Sequence, residues 1–469
     1  GAGIFIENIE DTASTLPIDV HLVGDFEVVD ARGAARTVEV DRLTLAHAPV
    51  AFKVKPGTPP PSFDPSDEIW VGRVMVLFSY DGAPCGQSWR EIRVNLTGAR
   101  ANNLASERVP PATGGTSIAQ KTMPVPDLTV KLTRTPSAAA DGLFSLILMS
   151  PHFEVLAEPE EISLGDEPQA FSSQLIKQVN QHISDRVSDE MMIGVGKEIA
   201  DKLPSSFWEA VRRVGNAVEA ADSGRIPNVL LLSDDPYVPW ELAWVEDPLD
   251  EQAPQFLGAQ LNIGRWSADD DRICAGAQLD VRGLGVVIGH YEDARGVAPL
   301  PSAAEEGEAL AASYNARAVD ATDRTLDQVL RGRLEGDEPF EFEAIHFAGH
   351  GESDPEKNAA YVMLSDGTRL SDFVFRAPEI ATAKDAFLFV NACQVGTAFG
   401  MLGEYAGVAG RAIRAGFRGF VAPLWSVADD VAKEISLGFY EASARGDTVA
   451  DYFRTTRAKF LETETDDAH

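Results

Sequence analysis

Cysteine is scarce in this chain, with three in 469 residues: Cys85, Cys274 and Cys393. Their spacing matches no zinc pattern and builds no disulfide framework, so the fold must rest on apolar cores, and a reducing, cytoplasmic setting is the simplest expectation. Long apolar runs are also missing. The longest, near Leu143–Met149, falls far short of the roughly 18 residues that suggest a membrane-crossing helix. Gly1–Glu10 lacks the basic start and apolar stretch of a secretion signal. Positive charge is the third shortage: 40 Lys and Arg against 73 Asp and Glu leave a net charge of −33. Nucleic-acid backbones are bound by clustered cations, so this balance argues against DNA or RNA as a direct partner. It fits a solubilising acidic surface, or a field that draws basic protein partners or substrates.

What is present is ordinary globular protein, 44% hydrophobic and 24% charged, in a chain long enough to need more than one core. Residues 1–154 read as β-rich. Short apolar or alternating runs such as Asp19–Val23, Thr37–Val40, Ile69–Phe78, Glu91–Val94, Leu128–Leu132 and Leu143–Met149 are separated by turn-forming clusters, Lys55–Pro65 among them. That pattern predicts an antiparallel sandwich or barrel, with Cys85 in a loop between strands. The chain opens within a strand-like run, Gly3–Glu7, as a fragment would. Leu156–Pro168 is polar and acidic and reads as a linker. Helical spacing follows in Ser172–Ser188, Met191–Leu203 and Phe207–Ala221, the last preceded by Pro204-Ser205-Ser206 as break and cap. From Asn228 onward, apolar strand-like runs alternate with amphipathic helical stretches, the pattern of a mainly parallel sheet covered on both faces.

Two of those strands end in residues with chemistry. Glu343-Ala344-Ile345-His346-Phe347-Ala348-Gly349-His350-Gly351 is an apolar strand running into a small-residue turn that carries a histidine. Ala386-Phe387-Leu388-Phe389-Val390-Asn391-Ala392-Cys393-Gln394-Val395-Gly396 is a second strand running into a cysteine and a glycine-containing loop. Open α/β sheets gather their sites outside the carboxyl ends of strands. A free thiol titrates near about 8.5, so Cys393 as nucleophile needs a base, and the imidazole of His350 can take its proton. The N–H groups of Gly351 and Cys393 would then form an oxyanion hole. His346 reads as a packed polar residue near the site, and His290, at the end of another strand, could border the cleft. Gly283-Leu284-Gly285 lies inside an apolar run, a poor dinucleotide fingerprint.

His350-Gly351 and Asn391-Ala392-Cys393-Gln394 resemble the two motifs of the CHAT proteases, caspase-like peptidases related to caspases and separase. Further segments resemble that family in the same order: Val238-Pro239-Trp240-Glu241-Leu242, Leu300-Pro301-Ser302-Ala303-Ala304-Glu305, and Gly416 through Trp425-Ser426-Val427-Ala428-Asp429. The resemblance spans roughly residues 155–465. It implies an α/β fold of the caspase-like αβα sandwich type, with a non-catalytic pseudo-caspase half at 155–289 and a catalytic half at 290–469. It further implies a Cys393–His350 dyad, no cofactor and no metal, and a protein substrate, with a role in bacterial stress or antiphage defence. The β-rich region at 1–154 would then bind a regulatory protein partner. Caspases carry Gln-Ala-Cys-Arg-Gly, whereas Asn391 and Gln394 flank the cysteine here, so cleavage after Asp does not follow. In separase-like relatives an Asp four residues after the matching Trp lines the pocket for a basic residue. Asp429 holds that place after Trp425, which implies cleavage after Arg, with Lys second, unless Asp429 caps the helix that follows. A caspase-like scaffold without turnover is the alternative.

Overall fold

The structure is a computed structural model that describes residues 4–7, 14–24, 26–29, 35–41, 44, 46–56, 69–80, 83–95, 116–119, 126–134, 142–153, 160–165, 174–175, 188–233, 238–267, 279, 283–292, 294, 296–333, 338–340, 342–354, 359–371, 386–392, 412–413, 415–424 and 427–466. The chain divides into two compact units, one of Gly1–Glu167, Lys202–Asp234 and Ile263–Cys274, the other of Pro168–Asp201, Asp235–Asn262 and Ala275–His469. No helix among the described residues is long and apolar enough to cross a membrane.

The first unit opens with β1 (Ile4–Glu7), β2 (Thr15–Gly24), β3 (Phe26–Val28), β4 (Ala35–Asp41), β5 (Val54–Pro56), β6 (Ile69–Tyr80), β7 (Ala83–Asn95) and β8 (Thr116–Ala119). Six of these form one sheet in the order β1-β8-β7-β6-β2-β4, and β3 pairs with β5. Pleating sends alternate side chains to opposite faces. Accordingly Leu16, Ile18 and Val20 of β2 pack with Val38 and Val40 of β4, while Pro17, Thr37 and Glu39 between them are exposed. The strands outrun the apolar runs that signal them. β6 and β7 pair from Ile69↔Asn95 to Tyr80↔Ala83, so Cys85 lies within β7 and not in the loop expected for it. The ladder between β6 and β7 takes in polar residues, among them Gln87 and Arg90, that no apolar run signals.

A second sheet in this unit, ordered β11-β10-β9-β12-β13, contains β9 (Leu128–Arg134), β10 (Leu143–Met149), β11 (Glu160–Ser163), β12 (Asn228–Ser233) and β13 (Asn262–Ser267). β9 is antiparallel to β10 and parallel to β12, so the division expected at residue 154 runs through this sheet. β11 corrects the expectation of a linker. Ile162 and Leu164 are buried, and that alternation draws an otherwise acidic segment onto β10. After α1 (Ser188–Ala200), which belongs to the second unit, α2 (Ser205–Ala221) buries Phe207, Ala210, Val211, Val214 and Val218, one stripe of a 3.6-residue repeat. Pro204 stands at its cap, and the Ser206 hydroxyl donates to Glu160 instead of capping.

The second unit continues with β14 (Leu284–Ile288), α3 (Pro301–Tyr314), β15 (Arg317–Asp320), α4 (Asp323–Leu330), β16 (Ala344–Ala348), β17 (Gly351–Asp354), β18 (Ala359–Met363), β19 (Arg369–Ser371), β20 (Phe387–Asn391), β21 (Gly419–Val421), α5 (Asp429–Arg445) and α6 (Val449–Asp466). Its main sheet, β15-β14-β16-β20-β21, is parallel throughout. From β14 the chain goes first to β15 on one side and then to β16 on the other, so strand order reverses between β14 and β16. Both faces are apolar. Val287, Ile345, Phe347, Leu388 and Val390 cluster with Leu326, Val329 and Leu330 of α4. Val286, Ile288, Phe387 and Phe389 cluster with Leu310 of α3 and with Phe439 and Tyr440 of α5. A strand covered on both faces has no polar side, which is why these strands read as unbroken apolar runs. The protein is thus mixed α/β with several sheets. Cys393, Cys274, Trp425 and most of the helix expected at 402–415 lie outside the described residues.

Candidate active site at the carboxyl edge of the parallel sheet

β16 and β20 are neighbours in register from Ala344↔Phe387 to Ala348↔Asn391, and the Gly349 N–H continues the pairing to the Asn391 carbonyl at 3.2 Å. His350 comes two residues after Ala348, as Cys393 comes two residues after Asn391 in the sequence. The strands that lead to these two residues therefore end side by side. They do so next to the reversal of strand order, where open α/β sheets hold their ligands.

His350 is half-buried and held on several sides. Its Nε2 lies 2.7 Å from the Ala298 carbonyl oxygen. A carbonyl can only accept, so Nε2 carries the ring proton, and Nδ1 of the neutral ring keeps its lone pair. The His350 backbone N–H donates to the Tyr291 hydroxyl at 2.8 Å, and the two rings pack with centroids 4.7 Å apart. Tyr291 in turn donates to the Met363 carbonyl at 2.9 Å. Burial pushes its hydroxyl up to about 12, against the opposing pull of the His350 N–H, so it stays protonated and donates and accepts at once. Glycine makes room for it: a Cβ at Gly289 or Gly349 would come within 2.2 or 2.4 Å of the phenol oxygen. Tyr291→Phe leaves the His350 N–H without its acceptor, an expected loss of about 1–3 kcal/mol that a lowered urea midpoint would register.

Gly351 begins β17, the edge strand of a three-stranded antiparallel sheet ordered β17-β18-β19. Met363 N–H donates to the His350 carbonyl at 2.9 Å, which makes Gly351↔Val362 a non-hydrogen-bonded pair. The Gly351 N–H is thereby directed away from β18. Asp429 is half-buried at the first position of α5, whose cap is Ala428. Its Oδ2 accepts from the Ser302 N–H at 3.0 Å, at the start of α3, so it caps a different helix from the one expected. Ser302 follows Ala298 by four residues, at most about 14 Å of chain, and that short segment touches both His350 and Asp429.

Beneath the edge lies a polar cluster. His346 is fully buried, as expected of a packed polar residue, and its Nε2 is 2.6 Å from Oε1 of Glu306, itself 1% exposed. His290, after β14, donates its N–H to Ser365 Oγ at 3.1 Å and sets its ring 3.4 Å from Asp320 Oδ1. Tyr291, Ala298 and Glu306 escape a motif reading. Two of them leave a trace. Gly289 and Gly349 flank the space filled by Tyr291, and Glu306 sits at helical spacing among Ala303, Gly307 and Leu310 on the buried face of α3.

These features define an α/β protein whose candidate site lies at the carboxyl edge of a parallel sheet, built around a histidine of fixed tautomer. The sequence model of the CHAT domain matches residues 149–469, about two thirds of the chain, and the protein belongs to the CHAT domain family, whose domain is caspase-like and of peptidase type. Among curated proteins, no relative matches it.

Proposed function

We propose that the chain is a cysteine endopeptidase in which Cys393 attacks the peptide carbonyl and His350 is its general base. The observation that carries this reading is the tautomer. With Nε2–H engaged by Ala298, Nδ1 keeps the lone pair that a general base needs, and β16 and β20, the strands that lead to His350 and Cys393, are neighbours in the sheet. The thiol proton passes to Nδ1 as the sulfur bonds to the carbonyl carbon. The Gly351 and Cys393 N–H groups receive the oxyanion, and the Ala298 carbonyl steadies the imidazolium through Nε2–H. Collapse expels the amine, which takes the proton from Nδ1. Water then hydrolyses the thioester, giving its proton to the same nitrogen and restoring the thiol.

Asp429 is assigned to recognition of a basic side chain before the scissile bond. Ser302 N–H holds one carboxylate oxygen, and a guanidinium would meet the other, in keeping with the acidic balance of the chain. Residues 290–469 serve as the catalytic half of a caspase-like αβα sandwich, and residues 155–289 as its non-catalytic half. The β-rich N-terminal region binds a regulatory protein, and the enzyme works in the cytoplasm in bacterial stress or antiphage defence. These assignments rest on the family and on the position of the site.

Incubating the full chain and its Cys393→Ala variant with a mixed peptide library, then sequencing the new termini, tests the reading. Cleavage after Arg in the wild type alone is expected. No Cys393-dependent terminus would leave a silent interaction scaffold as the better description. Asp429→Asn is expected to reduce cleavage after Arg by about 10–100-fold, the worth of a charge-assisted hydrogen bond, as measured by kcat/KM on paired peptides with Arg or norleucine before the cut. Unchanged selectivity would remove Asp429 from recognition.

A further inference from the structure

Glu306 has no part in the chemistry proposed above, yet it meets the elements that carry the site. Its carboxylate accepts from His346 Nε2 at 2.6 Å and from Asn391 Nδ2 at 3.0 and 2.8 Å. The same Asn391 amide donates its second hydrogen to the Ala432 carbonyl, 3.1 Å away in the first turn of α5. His346 Nδ1 lies 3.3 Å from the Tyr440 hydroxyl. The donors run in one consistent direction, Tyr440 to His346 to Glu306, with Asn391 approaching the carboxylate from the other side. One side chain of α3 thus ties β16, which leads to His350, to β20, which leads to Cys393, and through Asn391 to α5, which begins with Asp429.

The placement of this cluster separates it from ordinary packing. On the same face of the sheet, β20 presents Phe387 and Phe389 and β16 presents Ala344, all in the apolar cluster. The polar residues that these two strands place on that face are Asn391, in the last layer beside Ala348, and His346, one layer back beside Phe389, both at the end of the strands that leads to the site. A buried carboxylate costs several kcal/mol in desolvation, and apolar side chains of similar volume would often stabilise such a seam at least as well. Hydrogen bonds, unlike apolar contacts, are directional, and they set the height and angle at which two strand ends stop.

We propose that Glu306 is a positioning residue that aligns the ends of β16 and β20, and so sets the distance between the His350 imidazole and the Cys393 thiol. The proposal rests on the peptidase reading for its consequence in turnover. Its geometric content is measurable without turnover.

The test is the rate at which iodoacetamide alkylates Cys393 as a function of pH, read by mass spectrometry on the full chain, alongside kcat and KM for a peptide with Arg before the cut. Glu306→Gln keeps the size of the side chain but sets an amide N–H₂ against the donors of Asn391 or His346. The expected result is a folded protein whose Cys393 alkylation at neutral pH slows at least tenfold, with kcat reduced at least tenfold and KM within twofold. Should that variant fail to fold, Asn391→Ser leaves Glu306 and His346 in place, removes the links from Asn391 to Glu306 and to α5, and is expected to give the same slowing. Wild-type alkylation and kcat in either folded variant would overturn the proposal. So would a lowered melting temperature with unchanged alkylation of the folded fraction, since that marks a merely structural role. If the wild type cleaves no peptide while its alkylation still depends on His350, the peptidase reading fails and the alignment by Glu306 is still measured. If Cys393 alkylation is indifferent to His350→Ala, the pairing of the two groups is wrong and the proposal falls with it.

Discussion

His350→Ala is expected to lower kcat for cleavage after Arg by roughly a thousandfold, within the range for loss of a positioned general base, with KM changed less than threefold. Without Nδ1 the thiol must find another acceptor, and at neutral pH a free thiol near about 8.5 is only a few per cent thiolate. A thousandfold is about 4 kcal/mol of barrier. The loss should fall on kcat because, in the chemistry proposed, the imidazole acts as the sulfur attacks and the amine departs. Stopped turnover with an unchanged melting temperature would place the effect in the chemistry. A variant that cleaves at the wild-type rate would dismiss His350 as the base. Its position would then have to be explained by packing against Tyr291 alone.

The second large effect concerns stability in the first unit. Asp127, 3% exposed, stands just before β9. It receives Arg225 Nη1 and Nη2 at 2.8 and 2.7 Å, the Asn228 N–H at 2.8 Å, and lies 2.7 Å from His152 Nε2. Its carbonyl accepts from the Ser150 hydroxyl at 2.8 Å. One carboxylate thus gathers the start of β9, the exit of β10 and the entry of β12. Arg225→Met strands that buried charge and is expected to lower unfolding free energy by about 3–5 kcal/mol, measured as a shift of the urea midpoint at constant slope. Burial alone would raise the Asp127 carboxyl. The Arg225 bonds, the Asn228 N–H, the His152 contact and the charge of Arg225 together outweigh it and hold the carboxyl below its usual 3.8. A depressed carboxyl stabilises the fold above its unfolded value, and that share is lost as pH falls from about 3.8 through the folded value. Asp127→Asn should be less stable at neutral pH and should lose this acid dependence. An equal response in both proteins would exclude Asp127 as its source.

Much of the second unit could be read from local pattern. Leu284–Ile288, Ala344–Ala348 and Phe387–Val390 announce themselves because a strand buried on both faces is almost wholly apolar, His346 being the one polar residue in these three runs. α3, α5 and α6 announce themselves by helical spacing. The first unit was less legible. β7 carries polar residues that pair with β6 across a long ladder, and β11 with the residue that follows it holds two buried apolar residues, Ile162 and Leu164, in an acidic stretch. At the site, the strand-end motifs were readable and their supports were not. The Ala298 carbonyl that fixes the His350 tautomer has no side-chain signature at all. Asp429 was readable as a carboxylate with a task, but its link to Ser302, 127 residues away, was not.

The amino-acid sequence by itself determined which strands would be apolar on both faces, and that two of them would run into His350-Gly351 and Asn391-Ala392-Cys393, since periodicity and turn chemistry act between neighbours in the chain. Only the tertiary structure decided that β16 and β20 would lie side by side, that Tyr291 would sit beneath His350, and that Glu306 would bind His346 and Asn391. Those contacts join residues 40 to 85 positions apart. Their geometry arises from the packing of whole elements, whose cost and gain no local stretch records.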